Sequence, residues 1–230
     1  MLRVLIIGNG KMGSLIKTTA LANDMEVLGN MDVPDYSLNP DVVLDFSHPD
    51  NFEGVVKFVS DKKCALVYGT TGLNGEQITQ LSELSKVAPV FYSANFSYGV
   101  AVFEQMLKQF APLLKEDFDM EVVETHHNQK QDAPSGTAKM LVNALDPDGE
   151  YKKVYGREGF VGKREKEIGV HALRGGSVAG IHSVYFFGDN ETIEIKHTAN
   201  SRQIFVNGAI KAAKFIFGKE PGMYNMQDLM

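Results

Sequence analysis

Three side chains that move protons or carry positive charge lie within five positions of one segment. His126, His127 and Lys130 precede Asp132-Ala-Pro-Ser-Gly-Thr137, a run typical of a turn that enters a helix. Imidazole exchanges protons near neutral pH, and an ammonium group stabilises developing negative charge. The first free amides of a helix bind anions such as carboxylates. The segment therefore predicts proton delivery to a small acidic molecule held at the start of the helix.

A glycine-rich loop near the N-terminus predicts a second functional site. Gly8, Gly10 and Gly13 stand between an apolar, β-branched run and a helical pattern. In a dinucleotide-binding unit such glycines allow a tight turn, close approach of a pyrophosphate and close packing of the helix on the strand. Asp32 ends a second predicted strand about 20 residues beyond the loop, where an acid accepts hydrogen bonds from the adenosine ribose. A glycine-rich turn without a ligand is the alternative.

The residues around Asp32 favour NADH, with NADPH tolerated. A carboxylate repels a 2′-phosphate, Lys11 offsets part of that repulsion, and no Arg or Lys directly follows Asp32. Two more loops, 69–71 and 93–96, follow predicted strands. Ligands of open parallel sheets bind at the carboxyl ends of the strands. These loops are therefore either cofactor contacts or ordinary turns.

The elements that must position these groups follow two patterns. Up to residue 97, strands alternate with helices, which predicts a parallel sheet with helices on both faces. Beyond it, a helix, a strand and a second helix precede three consecutive strands, which predicts an antiparallel or mixed sheet. We expect a long loop over 146–166 and a final helix from about 201 to 217.

The predicted fold class is α/β with a second, smaller α+β domain. A doubly wound, parallel-sheet (Rossmann-like) dinucleotide domain is expected over residues 1–97, rejoined by a C-terminal helix over 206–230. A substrate-binding and oligomerisation domain is expected over residues 98–205. The catalytic cluster is expected to face the nicotinamide across a cleft. Hinge closure that excludes water is a hypothesis.

Composition excludes several classes of protein. The 230 residues carry a formal net charge of −6, which argues against a nucleic-acid-binding protein because such a protein needs a basic face. Cys64, the only cysteine, lies in an apolar run and is interpreted as buried and structural. No run approaches the length of a membrane span, and the N-terminus lacks the pattern of a signal peptide. We therefore expect a cytoplasmic protein.

Metal binding is the main alternative for adjacent histidines. Consecutive residues of an extended segment point to opposite sides, and no cysteine or third histidine lies at ligand spacing. We therefore predict no metal site. His171, His182 and His197 lie on predicted strands and are interpreted as structural or interfacial, with an approach of one to the substrate as the alternative. Arg174-Gly-Gly176 either binds an anion or bridges strands.

One long segment resembles the signature of the 4-hydroxy-tetrahydrodipicolinate reductases, traditionally called dihydrodipicolinate reductases: Glu121-Val-Val-Glu-Thr-His-His-Asn-Gln-Lys-Gln-Asp-Ala-Pro-Ser-Gly-Thr-Ala138. The likeness covers nearly the whole chain. Besides the glycine-rich loop it includes Gly69-Thr-Thr-Gly72, Ala94-Asn-Phe-Ser-Tyr-Gly99, Arg174-Gly-Gly176 and Phe205-Val-Asn-Gly-Ala209.

The resemblance implies an enzyme of the diaminopimelate and lysine pathway. It would reduce the dicarboxylate 4-hydroxy-tetrahydrodipicolinate with NADH or NADPH, as a homotetramer assembled through its C-terminal domain. By the matching motif His126 is the proton donor and acceptor, Lys130 the second catalytic group and His127 a substrate contact, while Gly136 and Thr137 contact a substrate carboxylate. The remaining matches are cofactor contacts: Gly8, Asn9, Gly10, Lys11, Met12, Gly13, Asp32, Gly69, Thr70, Thr71, Ser93, Ala94, Asn95 and Phe96.

Asp32 is a departure from the family pattern, because many relatives carry an acid followed by a basic residue there. A strict preference for NADPH is therefore not expected. Two other functions stay open on the residues alone. One is a different NAD(P)-dependent dehydrogenase that acts on an amino or keto acid, which a panel of substrates would separate. The other is a catalytically silent dinucleotide sensor or scaffold, which would bind NADH without turnover.

Overall fold

The computed structural model describes every residue from Met1 to Met230. Its contacts divide the chain into two compact units. Unit 1 comprises Met1–Tyr98 and Arg202–Met230, and unit 2 comprises Gly99–Ser201. None of the helices combines the length and the apolar character that crossing a bilayer requires.

The chain forms eleven strands and six α-helices. The strands are β1 (Leu2–Ile7), β2 (Met25–Met31), β3 (Val42–Asp45), β4 (Ala65–Tyr68), β5 (Pro89–Tyr92), β6 (Asp119–His126), β7 (Lys152–Val154), β8 (Glu167–Arg174), β9 (Gly180–Gly188), β10 (Glu191–Ala199) and β11 (Gly222–Tyr224). The helices are α1 (Lys11–Leu21), α2 (Phe52–Lys62), α3 (Gly75–Leu84), α4 (Tyr98–Leu114), α5 (Gly136–Leu145) and α6 (Gln203–Ile216).

Unit 1 is built on a six-stranded parallel sheet in the order β11-β5-β4-β3-β1-β2. Its central strands are short apolar runs buried on both faces, as parallel strands covered by helices require. The chain leaves β1 for β2 on one side, and β3 then pairs with the other side of β1. The strand order therefore reverses at β1, and ligands of such sheets bind at the carboxyl ends of the strands beside this reversal.

Unit 2 is built on a five-stranded mixed sheet in the order β10-β9-β6-β8-β7. Side chains of β6 alternate between its two faces, and Met120 and Val122 on one face pack in a core with Phe103 and Leu141. We call the face that carries Met120 and Val122 the inner face and the opposite face the outer face. Glu124 and His126, which continue the same alternation, are also buried on the inner face.

The predicted α/β fold with a smaller mixed-sheet domain is confirmed, but two local predictions were wrong. The segment 146–166 is not entirely a loop, because β7 adds to the edge of the mixed sheet beside β8. The C-terminal segment is not helical to its end, because α6 stops at Ile216 and β11 then joins the parallel sheet beside β5. Both strands have only three residues, too few for a periodic pattern.

Candidate active site

The buried imidazole of His126 is held by a carboxylate from its own strand. His126 is the last residue of β6 and is 8% exposed, and its Nδ1 lies 2.5 Å from Oε2 of Glu124. Residues two apart on a strand point to the same face, which is why these side chains meet. The contact leaves Nε2 of His126 as the other ring nitrogen for proton exchange.

Glu124 is completely buried and connects three parts of unit 2. Arg174, at the end of β8, donates from Nη1 and Nη2 to the two carboxylate oxygens, both at 2.8 Å. The backbone N–H of Ser135 donates to Oε1 of Glu124 at 3.0 Å. Arg174 also donates to the carbonyl oxygen of Asp132 at 2.7 Å, so it fixes the loop between β6 and α5. These contacts show that Arg174 bridges strand ends and is not a free anion-binding group.

These donors decide the charge of Glu124. Burial opposes ionisation, but hydrogen bonds from Arg174, His126 and the Ser135 amide outweigh it and lower the pKa of the Glu124 carboxyl. The ionised carboxylate is an acceptor only, so it favours a proton on Nδ1 of His126.

A second buried histidine contacts this cluster from β9. The ring of His182 lies edge-on to that of His126, with centroids 5.1 Å apart, and its Nε2 is 3.0 Å from the hydroxyl oxygen of Ser135. Burial, reinforced by the nearby His126, lowers the pKa of His182 to about 4. His182 is therefore neutral near pH 7. His171 instead lies on the outer face, where its Nε2 is 2.7 Å from Oε2 of Glu121.

Helix α5 begins directly beside this cluster. The Ser135 hydroxyl accepts a hydrogen bond from the N–H of Ala138 at 3.1 Å and so caps the helix. Gly136, the first helical residue, is exposed, and a Cβ added there would meet no atom within 4 Å. Thr137 is half-buried in the same turn. This first turn therefore has open space at Gly136.

Lys130 and His127 lie on the loop that connects β6 to α5. Lys130 is mostly buried and its Nζ is 2.8 Å from Oδ1 of Asp132. The backbone of this loop is a turn in which Lys130 N–H donates to the carbonyl of His127 at 3.1 Å. The His127 side chain is half-buried. A cation paired with Asp132 thus stands on the loop that separates His126 from the start of α5.

The glycine-rich loop of unit 1 has the geometry of a pyrophosphate site. Gly8 has a φ of +115°, and a Cβ there would clash with the Phe46 backbone. A Cβ on Gly13 would overlap the carbonyl oxygen of Gly8, whereas one on Gly10 would meet no atom within 4 Å. No side chain caps the start of α1, so its first amides have no side-chain acceptor, as an anion site at a helix start requires. These residues fit a dinucleotide.

Asp32 lies where the acid of a dinucleotide site is expected, directly after β2. Its carboxylate accepts hydrogen bonds from the backbone N–H and the side-chain amide of Asn9, at 3.0 and 3.1 Å. Asn9 thus fixes the acid against the glycine-rich loop. Lys11 is exposed and Met12 is half-buried at the start of α1.

The other two predicted cofactor loops differ in what they expose. Thr70 and Phe96 are buried, so only their backbone groups are available to a ligand. The exposed side chains belong to Thr71 and Ala94, while Ser93 and Asn95 are half-buried and hydrogen-bond within their own turn.

The segment after β3 joins these loops, and no motif predicted this. Asp45 is fully buried, and its Oδ1 accepts hydrogen bonds from Ser47 Oγ at 2.6 Å and Thr70 Oγ1 at 3.0 Å. Burial raises the pKa of the Asp45 carboxyl. The ring of Phe46 packs against Phe96, with centroids 5.0 Å apart. Asp45 and Phe46 therefore hold the loops after β4 and β5 in place.

Comparisons with known proteins match both units. Residues 2–96 match the family model described as dihydrodipicolinate reductase, N-terminus, and residues 99–230 match dihydrodipicolinate reductase, C-terminus. A curated 4-hydroxy-tetrahydrodipicolinate reductase of Alkaliphilus oremlandii is 43% identical over 99% of this chain and 98% of its own length. One of Clostridium tetani is 42% identical over 100% of this chain and 97% of its own length.

The chain belongs to the dihydrodipicolinate reductase family. A solved dihydrodipicolinate reductase of Paenisporosarcina sp. TG-14, bound to dipicolinate, is 25% identical, covers 100% of both chains and superposes with a TM-score of 0.83. Membership of this reductase family, together with the dinucleotide fold of unit 1, implies a nicotinamide cofactor.

Three residues around His126 have contacts that the motifs did not predict. Glu124 and Arg174 stood in recognised motifs without an assigned contact, and His182 was interpreted as structural or interfacial. The alternation along β6 is the signal that places Glu124 beside His126. No signal in the sequence places Arg174 or His182 there, because both contacts depend on the register of strands about 50 residues away.

Proposed function

We propose that this chain catalyses the NAD(P)H-dependent reduction of 4-hydroxy-tetrahydrodipicolinate to tetrahydrodipicolinate and water, in the diaminopimelate and lysine pathway. Family membership and full-length relatives that carry this reductase name support the proposal. The observation that carries it is the shared contact of Glu124 with His126 and with Ser135. This contact holds a proton donor beside a helix start that suits a carboxylate.

The substrate is a dicarboxylate, and unit 2 offers a matching donor set. The amides of Gly136 and Thr137 at the start of α5 bind one carboxylate, and the ammonium group of Lys130 pairs with the negative charge of the substrate. His127 supplies a further contact. The dipicolinate bound by the relative from Paenisporosarcina is itself a diacid, which supports this assignment.

The chemistry requires one hydride and one proton for each substrate molecule. A bound nicotinamide cofactor supplies the hydride. His126 delivers the proton from Nε2 to the carbon that gains enamine or carbanion character when the neighbouring carbon is reduced. Lys130 stabilises the developing negative charge. The substrate hydroxyl leaves as water, so one substrate, one hydride and one proton yield one tetrahydrodipicolinate and one water.

The cofactor is held by unit 1, and NADH is favoured over NADPH. The residues that would contact it are those of the glycine-rich loop, the backbone at Gly69, Thr70 and Thr71, and the turn from Ser93 to Phe96. The Asp32 carboxylate, fixed by Asn9, accepts hydrogen bonds from the ribose hydroxyls and repels a 2′-phosphate. Lys11 keeps NADPH binding possible.

A homotetramer assembled through unit 2 is part of the proposal, as is a cytoplasmic location. The outer face of the mixed sheet supports the assembly, because it carries Phe187 and Leu173, which are 41% and 50% exposed. Tyr185 stacks on Phe187, with ring centroids 5.5 Å apart. Phe187 pairs with Asp119 and Leu173 pairs with Thr125, so the two side chains lie at opposite ends of β6 on this face. Exposed apolar side chains at both ends of a sheet face suit a surface that another subunit covers.

The reaction is tested by generating the unstable heterocycle in place with a coupled assay. Oxidation of NADH and of NADPH is followed separately. We expect substrate-dependent oxidation of both, with a higher kcat/KM for NADH. No oxidation of either cofactor, in a protein that binds NADH, would refute the reductase function.

The role of His126 is tested by His126→Gln, which removes the proton donor but keeps a polar side chain of similar size. We expect kcat to fall by about 10²–10⁴-fold, because general acid catalysis contributes that much. The Kd for NADH, measured by fluorescence titration, should stay unchanged since His126 belongs to unit 2. An unchanged kcat would remove His126 from the mechanism.

A further inference from the structure

We propose that Glu124 is the positioning residue of the active site: it selects the tautomer of His126 that presents Nε2 to the substrate and couples this imidazole to the carboxylate-binding turn. The inference rests on the proposed function and extends it to a residue that does not itself touch the substrate. Its support is the geometry of one fully buried carboxylate with four hydrogen-bonding contacts.

The contacts of Glu124 divide evenly between its two oxygens. Oε1 accepts from the Ser135 amide and from Nη2 of Arg174, and Oε2 accepts from Nη1 of Arg174 and contacts Nδ1 of His126. The Arg174 fork thus fixes the carboxylate plane. With the plane fixed, Oε2 is directed at Nδ1, and the imidazole cannot rotate without losing a contact of 2.5 Å.

A purely structural role accounts for only part of this arrangement. A buried ion pair is costly to desolvate and adds little net stability, so stability alone is a weak reason for a buried glutamate. Arg174 and the Ser135 amide would already satisfy the carboxylate as a structural bridge. The further contact to His126, at the shortest of the four distances, is the one that a structural bridge does not need.

The tautomer follows from the chemistry of the groups. An ionised carboxylate accepts hydrogen bonds and donates none, so the neutral imidazole must carry its proton on Nδ1. Nε2 then accepts a proton from solvent and donates it to the substrate, while the negative charge of Glu124 stabilises the imidazolium between these steps. A histidine oriented by a carboxylate in this way is the arrangement of the Ser-His-Asp triad.

Other charged and titratable groups face the same imidazole from neighbouring elements. Arg174 of β8 is permanently charged and already paired with Glu124. His182 of β9 is neutral near pH 7, because burial lowers its pKa to about 4. Lys130 on the following loop is paired with Asp132. Since Arg174 and His182 keep their charge between pH 6 and 8, a change of the kinetic pH profile that appears in Glu124→Gln but not in Asp146→Asn is assigned to His126.

The first test measures the tautomer directly, without any enzymatic reaction. The protein is labelled with ¹⁵N-histidine, and the His126 signals are assigned by their loss in His126→Gln. We expect the neutral ring to show a protonated Nδ1 and an unprotonated Nε2. The opposite tautomer would overturn the proposal, whether or not the chain reduces 4-hydroxy-tetrahydrodipicolinate.

The second test removes the charge with Glu124→Gln. We expect kcat to fall at least about tenfold and the acid-dependent limb of the pH profile to move to lower pH, because the imidazolium loses its counter-charge. The Kd for NADH should not change. Wild-type kinetics and an unshifted profile in a folded Glu124→Gln protein would refute the role; if the variant does not fold, the tautomer measurement decides.

Asp146→Asn is the matched control. Asp146 is a buried carboxylate of the same unit with a lowered pKa, since donors outweigh its burial, and it caps the opposite end of α5. Its partners include the amides of Glu150 and Tyr151 and the ammonium group of Lys153. Asp146→Asn should lower the stability of unit 2 but leave kcat and the pH profile at wild-type values. A shifted profile in this control would contradict the assignment to Glu124.

Discussion

Under the proposed function, Lys130 is the cation that pairs with the diacid substrate. Its ammonium group is 2.8 Å from Asp132, whose side chain is 53% exposed. An ion pair with an exposed partner is weak, so a substrate carboxylate can replace Asp132 at little cost. The neighbouring Arg174 is different, because both of its donor pairs are taken by groups of the protein. Lys130 is therefore the more available of these two cations.

Replacing Lys130 by alanine should weaken both substrate binding and turnover. The amides of Gly136 and Thr137 can hold one carboxylate but leave the rest of the negative charge without a cation. We expect KM for the substrate to rise and kcat to fall, with the Kd for NADH unchanged. Steady-state kinetics of Lys130→Ala beside Lys130→Arg, which keeps the charge, give the measurement. Normal kinetics in Lys130→Ala would refute its role.

His182 should make the protein sensitive to mild acid. Burial lowers its pKa to about 4 in the folded chain, against an ordinary value of 6.5. The unfolded chain therefore binds a proton that the folded chain excludes, so stability that is complete above pH 6.5 is lost as the pH falls towards 4. The full shift corresponds to about 3 kcal/mol.

The comparison that checks this is urea-induced unfolding of wild type and His182→Gln at pH 7 and pH 5. Wild type should lose about 2 kcal/mol more than the variant over this interval. Equal losses in the two proteins would show that His182 is not held neutral by the fold.

At the scale of elements, the glycine-rich loop before α1 contains one glycine that packing requires and another that ligand binding requires. Gly13 lies so close to Gly8 that a methyl group has no room, whereas Gly10 faces open space with a φ of −72°, which alanine adopts without strain. Gly10 and Gly13 belong to the same motif. Gly13 is required for packing, whereas Gly10 is required for the approach of a ligand.

Gly13→Ala should lower the free energy of unfolding of unit 1 by about 1–3 kcal/mol, since α1 must move away from β1. Gly10→Ala should leave stability at the wild-type value but weaken NADH binding, because the methyl group occupies the path of the pyrophosphate. Urea unfolding and NADH titration of both variants give the four values needed. Tight NADH binding by Gly10→Ala would argue against a pyrophosphate at this loop.

Helices and strands long enough to show a periodic apolar pattern were predictable from the sequence. Three-residue strands, and contacts that depend on strand register, were not. The strand-helix alternation of unit 1 and the consecutive strands of unit 2 were visible as apolar runs and alternations. The strands β7 and β11 were missed because three residues carry no period and their pairing depends on distant partners. The same limit applies to the site: His126, Lys130 and the start of α5 lie in one motif, while Arg174 and His182 arrive through strand register.

At the scale of the whole molecule, the outer face of the mixed sheet is the feature that calls for a partner. It exposes Phe187 and Leu173 at opposite ends of one sheet surface, while the inner face is covered by α4 and α5. A charged side chain in the middle of a subunit interface costs several kcal/mol when it is buried unpaired.

Phe187→Lys should therefore reduce the particle mass measured by size exclusion with light scattering. Leu113→Lys is the control, because Leu113 is 76% exposed on α4 and hence on the opposite layer of unit 2. We expect the control to keep the wild-type mass. A wild-type mass in Phe187→Lys, or a monomeric wild-type protein, would refute assembly through this face.

The strand β11 has a consequence for synthesis on the ribosome. It forms the edge of the cofactor-binding sheet, but it follows the whole of unit 2 along the chain. The nascent sheet therefore exposes the free side of β5 until the chain has been synthesised past residue 224, and all residues of unit 2 are synthesised before unit 1 is complete. The parallel sheet of the dinucleotide unit would therefore be the last to be completed, because β11 is synthesised after all of unit 2.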